Sequence, residues 1–327
     1  MTDRQRQILA VLADGEFHSG QRLAESAGIT RSAVWKRIRH LSGLGLEVEG
    51  VTGKGYRLSS PLEMLDRGHI LNSLDAGASN VPVDIEILFE TGSTNQYLLD
   101  AQAKGSVHGR AVLAEYQLAG RGRGENRWVS GPASGLCLSL GWHYESIPGS
   151  LTSLSLATGV VLAEALQEAG CRDVRLKWPN DAVVNGAKLA GILIESRAQG
   201  AGPCDIVIGI GINVHLPAKL ERAIGRHVTD LHRLLAPAVP SRNTLAARLI
   251  NKLVAMLGQY DSDGFDLFVE KWRMLDYTAG KNAVLLRSGQ QSSGRVIGID
   301  ENGLLIMSIN GESRKFSSGE LSLRLLE

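Results

Sequence analysis

A chain of 327 residues exceeds the usual size of one domain, so two or three domains with substantial cores are expected. With 43% hydrophobic and 21% charged residues, the composition excludes a disordered, collagen-like or coiled-coil protein. A net charge of +1 argues against a protein coated in nucleic acid, although residues 1–60 hold nine Lys+Arg against six Asp+Glu.

The opening MTDRQRQILA lacks the build of a signal peptide, and no apolar run reaches membrane-spanning length. Ile8, Leu9 and Leu12, then Leu23, Ala24 and Ala27, fall at helical spacing, with Ser19 the expected N-cap and Gly28 the stop of the second helix. The next helix opens at Thr30. Its buried stripe is Val34, Ile38 and Leu41, and Arg31, Ser32, Trp35, Lys36 and Arg39 lie off that stripe as candidates for a major groove. Residues 46–58 alternate apolar and polar around Gly53-Lys54-Gly55, like the basic two-stranded wing of a winged helix. DNA binding, with Lys54 included, is the favoured reading; a basic module for protein contacts is the alternative.

Ser59-Ser60-Pro61 marks a boundary, and 62–74 reads as a connecting helix. From about 83 to 275, strand-like runs (83–90, 110–115, 136–142, 205–214) alternate with helical ones (94–103, 153–169, 242–260, 265–275), which suits one sheet backed by helices. Short strands at 282–286, 295–299, 304–309 and 314–316 then suggest a small β-barrel. Cysteines 137, 171 and 204 form no CxxC pair, so neither a disulfide framework nor a cysteine zinc site is expected, and a reducing cytoplasm fits. Cys137 reads as a small buried apolar residue, and His215, His227 and His232 as surface histidines without zinc spacing.

The chemistry concentrates in the middle. Gly120-Arg121-Gly122-Arg123-Gly124 lets a backbone approach an anion while two arginines supply charge, but fits neither a Walker loop nor a dinucleotide fingerprint. Lys177-Trp178-Pro179-Asn180-Asp181 sets a lysine beside an amide and a carboxylate able to hold Mg²⁺ and a ribose or phosphate; an Asx turn is the competing account. Asn185-Gly186 predicts a tight hairpin delivering Lys188 onto a nearly apolar strand. A lysine entering such a strand needs an anion, which makes Lys188 a candidate for the reacting centre, with snorkelling to the surface as the alternative.

Ser93-Thr94-Asn95, Gln117-x-x-Gly120-Arg121-Gly122-Arg123, Lys177-Trp178-Pro179-Asn180-Asp181, Lys188-Leu189-Ala190-Gly191 and Gly209-Ile210-Gly211-Ile212-Asn213 stand in this order. Together they resemble the biotin protein ligases, and the basic module before them resembles the bifunctional repressor form of that family. The likeness spans essentially the whole chain, through Gly319-Glu320-Leu321-Ser322-Leu323-Arg324. It implies an α+β multidomain fold: a winged helix-turn-helix (1–60), a mixed-sheet α/β catalytic domain (61–276) and a small SH3-like β-barrel (277–327). The implied reaction joins biotin to ATP as biotinyl-5′-adenylate and then transfers biotin to a lysine of the biotin carboxyl carrier protein of acetyl-CoA carboxylase.

By motif, the resemblance assigns biotin to Ser93, Thr94, Asn95, Gln117, Gly120, Arg121, Gly122, Arg123 and Lys188. It assigns ATP and the adenylate to Arg121, Arg123, Trp128, Lys177, Asn180, Asp181 and Asn213, with Mg²⁺ through Asp181, and makes Lys188 and Arg123 catalytic. It further implies an adenylate-bound homodimer on operator DNA, repressing biotin synthesis, with the adenylate as corepressor. Departures fall at Gly124-Glu125-Asn126, where the family commonly has Arg-Gly-Arg, and after Asn213, where residues 214–231 lack a tryptophan. A DNA regulator that merely senses biotin, and a lipoate or octanoyl transferase, are the competing readings.

Overall fold

The computed structural model describes residues 3–75, 81–146, 149–196, 203–287, 290–319 and 321–326. Glu320 of the C-terminal motif lies outside them. Three helices come first, α1 (Asp3–Leu12), α2 (Gly20–Ala27) and α3 (Arg31–Gly43), followed by the hairpin β1 (Val48–Val51) and β2 (Gly55–Leu58). Ser19 and Thr30 cap α2 and α3 by accepting the amides of Arg22 and Ala33, and Gly28 ends α2 in the left-handed region at φ +58°. Every residue of the apolar stripes expected in α1, α2 and α3 is buried, in one cluster that includes Leu46 and Leu58 of the hairpin.

The expected connecting helix is much shorter than 62–74. Only α4 (Arg67–Asn72) is helical, capped by the Asp66 carboxylate on the His69 amide. Residues 63–66 give their backbone to other partners instead. Leu65 N–H donates to Glu115 at 2.6 Å, Asp66 N–H to Asn243 Oδ1 at 2.7 Å, and the Glu63 carbonyl accepts from Arg242 at 2.6 Å.

The central part comprises β3 (Asp84–Thr91), α5 (Thr94–Gln102), β4 (Arg110–Gln117), β5 (Gly135–Tyr144), α6 (Leu151–Glu168), β6 (Arg175–Lys177), β7 (Asp181–Val184), β8 (Ala187–Ser196) and β9 (Cys204–Asn213). Four helices follow: α7 (Ala218–Ile224), α8 (Leu231–Leu235), α9 (Arg242–Asp263) and α10 (Asp266–Leu275). Seven strands pair in the order β3-β4-β5-β9-β8-β7-β6, with β3 and β4 parallel and all other neighbours antiparallel. Alternate residues of a strand face opposite ways, so the sheet has two coverings. Ala111, Leu113, Leu138 and Ile210 join the large core with α6 and α9, while Val112 and Val207 pack with Leu98 and Leu99 of α5.

The tail forms β10 (Asn282–Arg287), β11 (Gln290–Ile299), β12 (Leu305–Ile309), β13 (Glu312–Phe316) and β14 (Leu321–Leu325), an antiparallel sheet in the order β13-β12-β11-β10-β14. The expected strands are present, and β13 and β14 are the edges of this sheet among the described residues. The same core continues from α6 into Ala283, Leu285, Val296 and Leu305, and the Trp178 indole N–H donates to Gly303 O at 3.2 Å. The tail is thereby seated against the strand end that carries Lys177.

Candidate active site

The face of the sheet under α5 carries almost no side chains where the strands meet. Ser139 stands opposite Gly209, Gly209 opposite Leu193, and Gly211 opposite Gly191. A Cβ on Gly209 would fall 2.1 Å from Asn95 Oδ1, and one on Gly211 would fall 2.3 Å from the Trp128 ring. Only glycine lets Asn95 and the indole lie on this floor. The result is a cleft of about 1020 Å³ between β8, β9, the 120–128 loop, residues 225–227 and β14.

One end is lined by the neutral hydrogen-bonding groups of Ser93, Thr94, Asn95 and Gln117. Ser93 caps α5, and Thr94 N–H donates to Gln117 Oε1 at 2.7 Å. The buried Ser139 hydroxyl sits 2.7 Å from Thr94 Oγ1 and 2.6 Å from Asn95 Oδ1, and Asn95 donates to Leu193 O at 3.0 Å. Glu195 accepts from both Asn95, at 2.9 Å, and Arg121 Nη2, at 2.7 Å. Arg121 Nε is buried with no partner among the described residues, a donor available to a ligand.

The other end is cationic. Asn185 and Gly186, at φ +50° and +80°, make the tight turn between β7 and β8 that the Asn-Gly pair predicts. It sets Lys188 Nζ 2.6 Å from Asp181 Oδ1 and 5.7 Å from the centre of the Trp128 ring. Burial pushes the Lys177 ammonium below its ordinary value; Asp181 acts against this, and the charges of Lys188, Arg226 and Arg324 add to it. Burial likewise lowers the Arg123 guanidinium, with Asp181 opposing. Arg123 Nη2 donates to Ser318 O and Gly319 O, both at 2.6 Å, so the loop is tied to the C-terminal part. Asn126 closes the loop, accepting from Gly122 N–H at 2.8 Å and donating to Arg123 O at 2.8 Å. An uncharged hydrogen-bonding pocket opening into a cationic cleft suits a ligand with a neutral polar head and an anionic tail, placed beside an oligophosphate.

Comparison with known proteins decides the family. Residues 90–213 match the Biotin/lipoate A/B protein ligase family, and residues 4–57 match the HTH domain family. The chain is 38% identical to the bifunctional ligase/repressor BirA of Salmonella typhimurium and likewise to that of Escherichia coli, covering 98% of this chain and 97% of each relative. The chain belongs to the bifunctional biotin ligase/repressor family. Its fold is similar to that of the biotin protein ligase from Aquifex aeolicus in complex with biotin and ATP, with a TM-score of 0.63 and 26% identity over 74% of this chain and 99% of that one.

As a member of the bifunctional biotin ligase/repressor family, the chain gathers the motif residues unevenly. Ser93, Thr94, Asn95, Gln117, Arg121, Gly122, Arg123, Trp128, Lys177, Asn180, Asp181 and Lys188 all line the cleft. Gly120 and Asn213 do not. Gly120 underlies the loop, its carbonyl accepting from Trp128 N–H at 2.9 Å, and the buried Asn213 side chain donates to Thr229 O at 3.0 Å. Asn180 lies at the cleft with its amide given to Ile192 O at 2.6 Å.

Ser139, Glu195 and Arg226 escaped the sequence reading. The lone hydroxyl within the apolar run of β5 was the available signal for Ser139; nothing local marked the other two. All three expected surface histidines are exposed; the rings of His215 and His232 lie 5.0 Å apart, and His227 stands at the cleft. The three cysteines are free and buried, and burial pushes the Cys137 thiol up to about 11.

In the first part of the chain, Arg31, Ser32, Trp35, Lys36 and Arg39 are exposed on α3, with the Arg39 guanidinium 4.8 Å above the Trp35 ring. Lys54 is exposed in the β1–β2 turn, its ammonium 5.8 Å from the centre of the Phe17 ring.

Proposed function

We propose that the chain is an ATP-dependent biotin protein ligase that also binds operator DNA and represses biotin-synthesis genes. One observation carries the enzymatic half: Lys188, Lys177, Arg121 and Arg123 converge where the neutral pocket of Ser93, Thr94, Asn95 and Gln117 opens. Amides and hydroxyls suit the uncharged ring of biotin, and the cations suit its carboxylate and the phosphates of ATP. A biotin carboxylate oxygen attacks the α-phosphorus and expels pyrophosphate. The acceptor amine nitrogen then attacks the acyl carbon, loses a proton and releases AMP. Negative charge gathers on the same oxygens in both steps, so preorganised cations serve both. Lys188 bridges the carboxylate and the α-phosphate, while Arg121 and Arg123 cover them.

Asp181 and Asn180 offer hard oxygen donors at the cationic end. Mg²⁺ held there by Asp181 and Asn180, with phosphate and water as its other ligands, would neutralise phosphate charge.

The exposed basic face of α3 and Lys54 support the DNA-binding half. A dimer formed when the adenylate is bound would set two such faces at palindromic half-sites. The division into 1–60, 61–276 and 277–327 is part of the same proposal, with the shared core between the last two a reason they act as one enzyme. Three free, buried cysteines support a cytoplasmic setting, and no helix among the described residues is long and apolar enough to cross a membrane.

The test is mass spectrometry of a biotin carboxyl carrier domain after incubation with this protein, biotin and Mg-ATP, beside Lys188→Ala. One biotin added by the parent protein and little by the variant is expected. No addition, with biotin binding retained, would leave a sensor rather than a ligase.

A further inference from the structure

We infer that Arg226 is a phosphate-facing residue of the nucleotide site, supplied from the segment between α7 and α8 and held at the lip of the cleft by Asn126. The inference rests on the ligase reading and concerns a residue that no motif marks.

The cleft is lined by seven Lys and Arg against two Asp and Glu, an excess that one carboxylate at Asp181 cannot balance and an oligophosphate can. Three of these cations are held by groups of the chain itself. Lys188 pairs with Asp181, Arg121 with Glu195, and Arg123 Nη2 donates to the carbonyls of Ser318 and Gly319. Arg226 enters the cleft from a separate segment: its guanidinium donates to the side-chain oxygen of Asn126 and, among the described residues, pairs with no carboxylate. A guanidinium held by a neutral oxygen keeps its full charge and its remaining N–H donors, which match a phosphate fork.

Its holder is itself rigid. Asn126 accepts from Gly122 N–H and donates to Arg123 O through both its backbone and side-chain nitrogens, at 3.2 and 2.8 Å. The neighbouring backbone is fixed from the other side, since His227 O accepts from Lys188 N–H at 3.0 Å and Thr229 N–H donates to Lys188 O at 2.9 Å. Arg226 is thus placed within one residue of a strand that carries the reacting lysine. Gly124-Glu125-Asn126 brings no cation to this lip. Arg226 brings one from across the cleft, on a separate segment, where it meets Asn126 of the 120–128 loop.

The test compares Arg226→Ala, Arg226→Lys and Asn126→Ala in the full chain, measuring KM for ATP and for biotin separately in the biotin transfer assay. Arg226→Ala is expected to raise KM for ATP by about tenfold or more, the scale of a lost charge-assisted contact, with KM for biotin within twofold. Arg226→Lys should recover part of the loss, and Asn126→Ala should raise KM for ATP less than Arg226→Ala does. An unchanged KM for ATP in Arg226→Ala overturns the inference. So does an equal rise for both substrates matched by Asn126→Ala, which would make the arginine a loop fastener only. Absence of biotin transfer by the parent protein would instead sink the ligase reading.

Discussion

Two missing side chains shape the site as much as the charged ones do. Gly211 lets the Trp128 ring rest on β9, and Gly209 lets Asn95 do the same. Gly211→Ala introduces a methyl group 2.3 Å from the indole, and because Trp128 rides on a loop the ring is expected to lift away while the sheet persists. We expect biotin transfer to fall by about tenfold to a hundredfold, the usual consequence of an ångström of misplacement, with little change in melting temperature. Tryptophan fluorescence and transfer kinetics on the same sample check both halves. Parent-like kinetics would show that the ring's position is immaterial. The residues found from sequence were those with a local signature: a turn pair, a glycine-arginine loop, a lysine leading an apolar strand. Glu195 and Arg226 were not legible, because each gains its meaning from partners about a hundred positions away or across the cleft.

At the scale of elements, the segment joining the basic module to the sheet was misread for a related reason. Helical spacing in 62–74 was genuine only for α4, and 63–66 stays outside the helix because Glu115, Arg242 and Asn243 of distant elements claim its polar groups. Arg242 and Glu115 are 3% and 2% exposed and lie 2.9 Å apart. Arg242→Met leaves the buried Glu115 carboxylate without its cation and is expected to cost about 3–5 kcal/mol, read as a lowered urea midpoint; a loss under about 1 kcal/mol would deny the anchor.

The anchor also responds to acid. Burial of Glu63 opposes its ionisation, but hydrogen bonds from the Ser241 hydroxyl, the Arg242 amide and Asn243 outweigh this and hold its carboxyl below the ordinary 4.5. Between the lowered native value and 4.5 the unfolded chain binds more protons, so this stabilisation is full above 4.5 and is lost as pH falls through the native value. The stability gap between the parent and Glu63→Gln should therefore be widest at neutral pH and shrink below 4.5. A gap independent of pH would contradict the assignment.

The whole molecule joins a basic helical module to a cleft built by several separate stretches of chain. The order of strands and helices was largely readable from apolar periodicity. The sheet order and the seating of the tail were not, since pairing partners far apart in sequence leave no local trace. If the parts act independently, replacing Lys36 and Arg39 by alanine should weaken binding to a cognate operator and reduce its salt slope by about two, one for each lost phosphate contact, while biotin transfer stays within twofold. An equal fall in transfer would mean that the module belongs to the enzyme's fold.

The most direct test of the central claim needs no acceptor protein: exchange of labelled pyrophosphate into ATP, with and without biotin. A cleft that joins the biotin carboxylate to the α-phosphate predicts exchange that requires biotin and collapses in Lys188→Ala. Biotin binding without exchange would contradict the account, because it would leave the cationic end of the cleft with no reaction to serve.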